Sequence, residues 1–117
     1  MTRVRGARRL LTLVALVAAA SCSKPAEPIH VSANQLTVDN RTRSDWSDVE
    51  VWVNDHYRVT LPRLLAGQRF VVPLDTFVAG FGQRFNYRKQ VVQGVEVTAK
   101  SADGQAVKLV WGRGRRR

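Results

Sequence analysis

Short runs in which apolar and polar residues alternate constrain the fold of this chain more than any other feature. Val49, Val51 and Val53 alternate with Glu50 and Trp52. The same period of two recurs at Leu36–Val38, Tyr57–Leu61, Phe70–Leu74, Val95–Ala99 and Val107–Trp111. Successive side chains of a β-strand point to opposite faces, so such runs are typical of strands with one buried face. Because no long helical apolar stripe interrupts them, the pattern predicts an all-β domain.

Residues 29–112 hold six or seven such runs, which predicts a single small antiparallel β-sandwich. A chain of 117 residues with 44% hydrophobic residues has room for one domain with a modest core. In strand number and spacing, this segment resembles the small immunoglobulin-like or fibronectin-like domains of exported bacterial proteins. That resemblance implies an architecture and no particular function.

The last two strands also predict their own register. A three-residue loop at residues 102–104, with Gly104 in a left-handed conformation, pairs Val97 with Leu109. A two-residue turn would instead place Thr98 opposite Leu109 and mix the two faces. We therefore expect the three-residue loop.

The hairpin at Asn54 leaves two registers open. A three-residue loop pairs Val51 with Val59, whereas a two-residue turn pairs Trp52 with Tyr57. Both arrangements are physically acceptable, so the pattern alone does not choose between them.

The amino terminus has the three parts of a bacterial export signal. Four arginines precede residue 10, an apolar run extends from Leu10 to Ala20 with only Thr12 as an interruption, and small residues follow. Eleven helical residues span about 16 Å, which is too short for a bilayer core. We therefore predict that residues 1–21 form a signal helix that is cleaved.

The sequence Ala19-Ala20-Ser21-Cys22 resembles the lipobox of bacterial lipoproteins, in which the cysteine is acylated and becomes the first mature residue. Cys22 is the only cysteine of the chain. The family usually carries Leu at the position of Ala19, and residues 18–20 also suit an ordinary signal peptidase. The resemblance implies a lipid anchor on Cys22, with a soluble periplasmic or secreted protein as the alternative.

Residues 22–28 are predicted to be the lipidated cysteine and a short tether, because they are polar and contain two prolines. In such lipoproteins an Asp after the cysteine signals retention in the inner membrane, and this chain has Ser23 there. In an organism with two membranes, the resemblance implies the outer membrane, with the domain facing the periplasm.

The strong positive charge of the chain lies mainly at its two ends. The formal net charge is +10, but four arginines lie in residues 1–9 and four in residues 113–117. The segment between them has eleven basic and nine acidic residues, so nucleic acid is not an expected partner. Residues 113–117 are predicted to be a basic disordered tail that contacts anionic lipid or glycan or simply aids solubility. Its cations are Arg113, Arg115, Arg116 and Arg117.

Two further features are candidate binding surfaces. Aromatic residues and cations interleave between Phe81 and Lys89, as they do on surfaces that stack bases or sugars. The candidate residues there are Arg84, Tyr87, Arg88 and Lys89. In the alternative interpretation, Phe81 and Phe85 close one end of the sandwich and the cations remain solvated. Trp52 shares a strand face with Glu50, so it covers a second buried face or marks a partner-binding spot.

Catalytic and metal-binding patterns are weak in this sequence. His30 and His56 lack a neighbouring nucleophile motif, and the carboxylates around Asp45 and Asp48 lack the spacing of a calcium loop. We therefore expect a non-catalytic protein without metal or cofactor, and a small hydrolase is the less favoured alternative. The expected function is that of a membrane-anchored envelope lipoprotein whose sandwich binds an envelope partner. A binding module for anionic glycan or lipid is the other candidate.

Overall fold

The computed structural model describes residues 27–113 and contains seven strands and one 3₁₀ turn. The strands are β1 (Ile29–Val31), β2 (Gln35–Asp39), β3 (Trp46–Val53), β4 (Tyr57–Leu64), β5 (Arg69–Pro73), β6 (Gly94–Ser101) and β7 (Ala106–Gly112). The 3₁₀ turn is Leu74–Thr76. Within residues 27–113, no helix is long and apolar enough to cross a membrane. The predicted signal helix and most of the tether lie outside the described residues.

The strands form two antiparallel sheets. One sheet has three strands in the order β1-β2-β5, and the other has four strands in the order β4-β3-β6-β7. Every strand pair is antiparallel, so the prediction of an all-β domain with six or seven antiparallel strands is confirmed.

Apolar residues of both sheets belong to one hydrophobic core. Leu36 and Val72 come from the three-stranded sheet, Val51 and Val97 come from the four-stranded sheet, and all four are buried in the same cluster. The alternating pattern places them on the inner faces, as expected for half-buried strands. Each such side chain contributes about 1.5–3 kcal/mol relative to full exposure.

The β6–β7 hairpin has the predicted register. Val97 pairs with Leu109 and Ala99 with Val107. Gly104 has a φ of 86°, the left-handed conformation that a three-residue loop requires at this position. The register prediction for this hairpin is therefore confirmed.

Of the two possible registers, the β3–β4 hairpin adopts the one with a three-residue loop. Val51 pairs with Val59 and Val53 pairs with Tyr57. Asn54 has a φ of 50°, and the next residue, Asp55, has a φ of 69°. Asn and Asp tolerate this region better than most residues, which explains why the turn forms without glycine.

A bulge in β3 explains why Trp46 belongs to the core although it is out of phase with the valines. The β3–β6 register shifts between Ser47 and Glu50, and Asp48 has a φ of 51° there. Beyond the bulge, Trp46 pairs with Leu64 and both side chains are buried. The bulge thus changes which residues face inward, a feature that a strict alternation does not predict.

The domain has two distinct ends. At the N-terminal end, the Asp39 amide donates to the Pro28 carbonyl at 2.8 Å, and Arg69 Nε donates to Asp39 Oδ1 at 2.7 Å. This hydrogen bond lowers the pKa of Asp39, and burial opposes it. At the opposite end, the Leu74 amide donates to the Asn34 carbonyl at 2.9 Å. The chain therefore enters the domain at one end, and the 3₁₀ turn lies at the other.

Two features protect the free edge of β4. Pro62 removes a backbone donor from the strand, and Val78 from the loop before β6 forms a β-bridge with Arg58. The Arg58 amide donates to the Val78 carbonyl at 3.0 Å, and the Val78 amide donates back at 3.3 Å. The long loop is thereby joined to the edge of the four-stranded sheet.

Gly112 should be more sensitive to substitution than Gly104. It has a φ of 67°, and a Cβ there would lie 2.5 Å from the Gln93 carbonyl oxygen. Gly104 also has a positive φ, but a Cβ there would meet nothing within 4 Å. We expect Gly104→Ala to lower the free energy of unfolding by about 1–2 kcal/mol through backbone strain alone.

Gly112→Ala should cost more than Gly104→Ala, because the steric clash adds to the same strain. Urea denaturation of both variants measures the difference. Equal losses of stability would contradict the close approach of Gly112 to Gln93.

Candidate binding surface

The side chain of Asn54 fixes the loop that precedes β6. Its Nδ2 atom donates to the Val91 carbonyl at 2.8 Å. Its Oδ1 atom accepts from the amides of Gln93 at 2.6 Å and Gly94 at 3.2 Å. The Arg113 amide in turn donates to the Gln93 carbonyl at 3.0 Å. The β3–β4 turn, the loop before β6 and the end of β7 therefore meet at one end of the domain.

We call this region the basic end and define it as residues 32–35, 54–58, 74–93 and 112–113. It contains five basic and two acidic residues. The N-terminal end, defined as residues 27–28, 39–45, 64–69 and 100–106, contains four basic and four acidic residues. Charge is thus distributed unequally along the domain, with the positive excess at the end opposite to Pro28.

Residues 77–85, which we call the loop hairpin, form part of the basic end, and most of them are exposed. The Phe85 amide donates to the Phe77 carbonyl at 2.9 Å, and the Ala79 amide donates to the Gln83 carbonyl at 2.8 Å. Phe77 and Phe85 are both buried at the base of this hairpin. Tyr57 contacts Phe85 edge-to-face with ring centroids 5.2 Å apart, which holds the base against β4.

Phe81 lies at the tip of the loop hairpin and is 97% exposed. It is flanked by Gly80 and Gly82, and the φ of Gly82 is 84°. The interpretation that Phe81 and Phe85 both close the end of the sandwich is therefore correct for Phe85 and wrong for Phe81. The difference arises because a Gly-flanked tight turn projects the residue at its tip away from the sheet.

Three of the predicted candidate residues surround one cavity of about 430 Å³. Arg88 stacks on Tyr87 with its guanidinium carbon 5.9 Å from the ring centroid, and Arg84 Nη1 donates to the Asp75 carbonyl at 3.4 Å. The cavity is lined by Asp75, Arg84, Phe85, Asn86, Tyr87 and Arg88. Lys89 follows in the same turn and is exposed. The structure therefore brings Arg84, Tyr87 and Arg88 together, and Phe85 beside them is a core residue.

Trp52 lies in a separate groove on the outer face of the four-stranded sheet. Its Nε1 atom donates to Glu50 Oε1 at 3.0 Å, and the Arg58 guanidinium carbon lies 5.3 Å from its ring centroid. The ring is half-buried and held from two directions, which makes it a fixed aromatic surface. The groove has a volume of about 550 Å³ and is lined by Trp52, Asp55, His56, Arg58, Thr60, Val78, Ala79 and Gly80.

Val78 connects the two concave regions. It forms β-bridges with Arg58 on one side and with Arg84 on the other. Directly paired residues of antiparallel strands lie on the same face, and Trp52 pairs with Arg58 in the same row. The loop hairpin thus extends the outer face of the sheet. It also places the groove around Trp52 next to Arg84 and the cavity that Arg84 lines.

Three contributors to this surface, Arg58, Asn54 and Val91, have no distinctive sequence pattern. Arg58 resembles the other strand cations in sequence, and Asn54 resembles an ordinary turn residue. Val91 is 75% exposed beside the Asn54 contact. The two glycines around Phe81 were the one local signal for an exposed tip, whereas the bridge from Val78 to Arg58 depends on a long-range contact that no local pattern carries.

Of the predicted tail, the structure describes only Arg113, which is exposed at the basic end. The other tail arginines, Arg115, Arg116 and Arg117, lie outside the described residues, as does Cys22. Within residues 27–113, no three His, Cys, Asp or Glu side chains are placed to hold a metal ion. His30 lies in β1 of the three-stranded sheet, and His56 lies in the β3–β4 turn.

Comparison of the chain with protein-family models, curated proteins and solved structures finds no match. Its function is therefore inferred from the chemistry of the basic end and of the amino-terminal segment.

The two phenylalanines of the loop hairpin should differ sharply in their effect on stability. Phe85→Ala removes a buried ring and should lower the free energy of unfolding by about 3–5 kcal/mol. Phe81→Ala removes a ring that contacts solvent and should change it by less than about 0.5 kcal/mol. Urea denaturation monitored by far-ultraviolet circular dichroism measures both values. A large loss in Phe81→Ala would show that this ring packs against the domain.

Proposed function

We propose that the protein is a lipid-anchored envelope protein whose non-catalytic domain presents a binding surface at the end opposite to its anchor. The observation that carries this proposal is the placement of the two ends. Pro28 enters at the N-terminal end, whereas Phe81, Arg88 and Arg113 belong to the basic end. A domain held by its amino terminus in this way leaves the basic end accessible to a partner.

The length of the tether supports this arrangement. Residues 23–28 are six residues, which extend to at most about 20 Å. The longest strands have eight residues and span about 27 Å. The tether is therefore shorter than the longest strands, and an acylated Cys22 would keep the domain close to the bilayer. In an organism with two membranes, we propose the periplasmic side of the outer membrane.

For the fold, we propose a β-sandwich of the fibronectin-like kind. Constant-type immunoglobulin domains place the fourth strand beside the fifth, in the sheet of the first two strands. Here the fourth strand lies beside the third, in the sheet of the last two strands. Because this strand placement differs from that of constant-type immunoglobulin domains, it favours the resemblance to fibronectin-like domains. The fold by itself does not define a function.

Labelling with a radioactive fatty acid tests the anchor. We expect the wild-type protein to take up label and to fractionate with membranes, because acyl chains bury many methylene groups in the bilayer. Cys22→Ala should lose both properties, whereas the control Ser23→Ala should keep them. A wild-type protein without label, or a labelled Cys22→Ala variant, would refute the lipid anchor.

The second candidate function is a charge-driven binding module for anionic glycan or lipid headgroups. It is favoured by the excess of basic residues at the basic end and by the arginines of residues 113–117. Arg88 and Lys89 are both exposed there, so their charges are available to an anionic ligand.

A pull-down on purified envelope glycan tests the second candidate. Binding should weaken as salt screens the charges and should fall further in the double variant Arg88→Gln, Lys89→Gln and on deletion of residues 113–117. Lys100→Gln, at the N-terminal end, serves as the matched control. Binding that ignores salt and these changes would exclude a charge-driven contact with glycan.

A further inference from the structure

Several apolar side chains of the basic end are exposed. Phe81 is 97% exposed and Val91 is 75% exposed, and Val78 at the base of the loop hairpin is also exposed. Phe81 lies at the tip of a hairpin whose base is fixed by the buried Phe77 and Phe85. The ring is therefore displayed in a defined position without packing against its own domain.

Several cations belong to the loop hairpin and to the segments next to it. Arg58 and Arg84 flank Val78 through the two β-bridges, and Arg88 and Lys89 follow the loop hairpin. The chain continues from Arg113, at the same end, into three more arginines. An exposed aromatic ring among cations has the composition of protein segments that insert into the interface of a negatively charged bilayer.

The immediate neighbours of Phe81 favour a bilayer over a glycan. Gly80 and Gly82 have no side chains, so the residues directly next to Phe81 in the chain offer sugar hydroxyls no side-chain hydrogen-bond partner. Sugar sites need polar groups that fix the orientation of the ligand. A ring that offers only apolar contact suits the boundary between headgroups and acyl chains, where the nearby cations meet phosphate groups.

We infer that the loop hairpin is a membrane contact in which Phe81 inserts into an anionic bilayer and the cations of the basic end bind lipid phosphates. This inference rests on the second proposed function, because it takes the basic end as the binding surface. With Cys22 acylated in the same bilayer, the two contacts lie at opposite ends of the domain. Because both ends then contact the same bilayer, the domain lies along the membrane, and the partner of the basic end is lipid instead of an envelope protein.

Vesicle binding tests the inference with the chain that starts at residue 22 and carries Cys22→Ser, so that no acyl chain contributes. This chain keeps the whole hydrophobic core, which begins at Ile29. The probes are vesicles of phosphatidylcholine alone and vesicles with added phosphatidylglycerol. We expect binding to the anionic vesicles only, and about tenfold weaker binding for Phe81→Ser. Val71→Ser is the matched control, because Val71 is 48% exposed on the other sheet.

A fluorescent probe tests the depth of the contact. In the Cys22→Ser background no other cysteine is present, so Phe81→Cys carries an environment-sensitive dye at the tip alone. Its emission should shift to the blue on anionic vesicles, whereas the same dye on Val71→Cys should not respond. Equal binding of Phe81→Ser and the parent protein, or a dye at residue 81 that stays in water, would overturn the inference.

The two proposals fail in different ways. Glycan binding without vesicle binding would overturn the membrane contact and leave the charge-driven module intact. A protein that binds vesicles but takes up no fatty acid would support the membrane contact and refute the lipid anchor.

Discussion

The one-sided burial of β3 is the constraint on which the rest of the structure depends. Val49, Val51 and Val53 are fully buried, and β3 is hydrogen-bonded to β4 on one side and β6 on the other. A slip of one residue would turn Glu50 and Trp52 into the core. The free-energy cost of burying Glu50 and Trp52 fixes the register of β4 and β6 against β3. It therefore also fixes which residues lie on the outer face of the sheet. The position of Trp52 beside Arg58, and of the loop hairpin beyond it, follows from the burial of three valines.

The fold was predictable where one residue's neighbours along the chain determine its environment. The β6–β7 register followed from the alternation of Val97 and Ala99 and from the φ that Gly104 alone tolerates easily. Trp46 was not predicted to be a core residue, because its inward orientation depends on the bulge at Asp48. A bulge arises from a backbone conformation of a single residue, and hydrophobicity does not report it.

The candidate site was predictable only in part, because some of its residues are positioned by contacts between distant parts of the chain. Arg84, Tyr87 and Arg88 were recognised from composition, and the structure brings them together around one cavity. Phe81 and Phe85 have the same side chain and lie four residues apart, yet one is exposed and the other buried. A Gly-flanked turn and a long-range bridge from Val78 to Arg58 separate them, and of these two only the glycines can be seen in the sequence. The structure assigns one ring to stability and the other to the surface.

The bridge between Val78 and Arg58 has a consequence for the behaviour of the chain at high concentration. An unpaired edge strand is a template onto which another copy can add a strand, and proteins commonly block such edges. In β4, Pro62 protects one part of the edge and Val78 occupies another. Detachment of the loop hairpin would therefore expose backbone donors and acceptors as well as move the tip residue. Variants that detach this loop should therefore self-associate and be obtained in poor yield. These effects differ from a weakening of ligand binding alone.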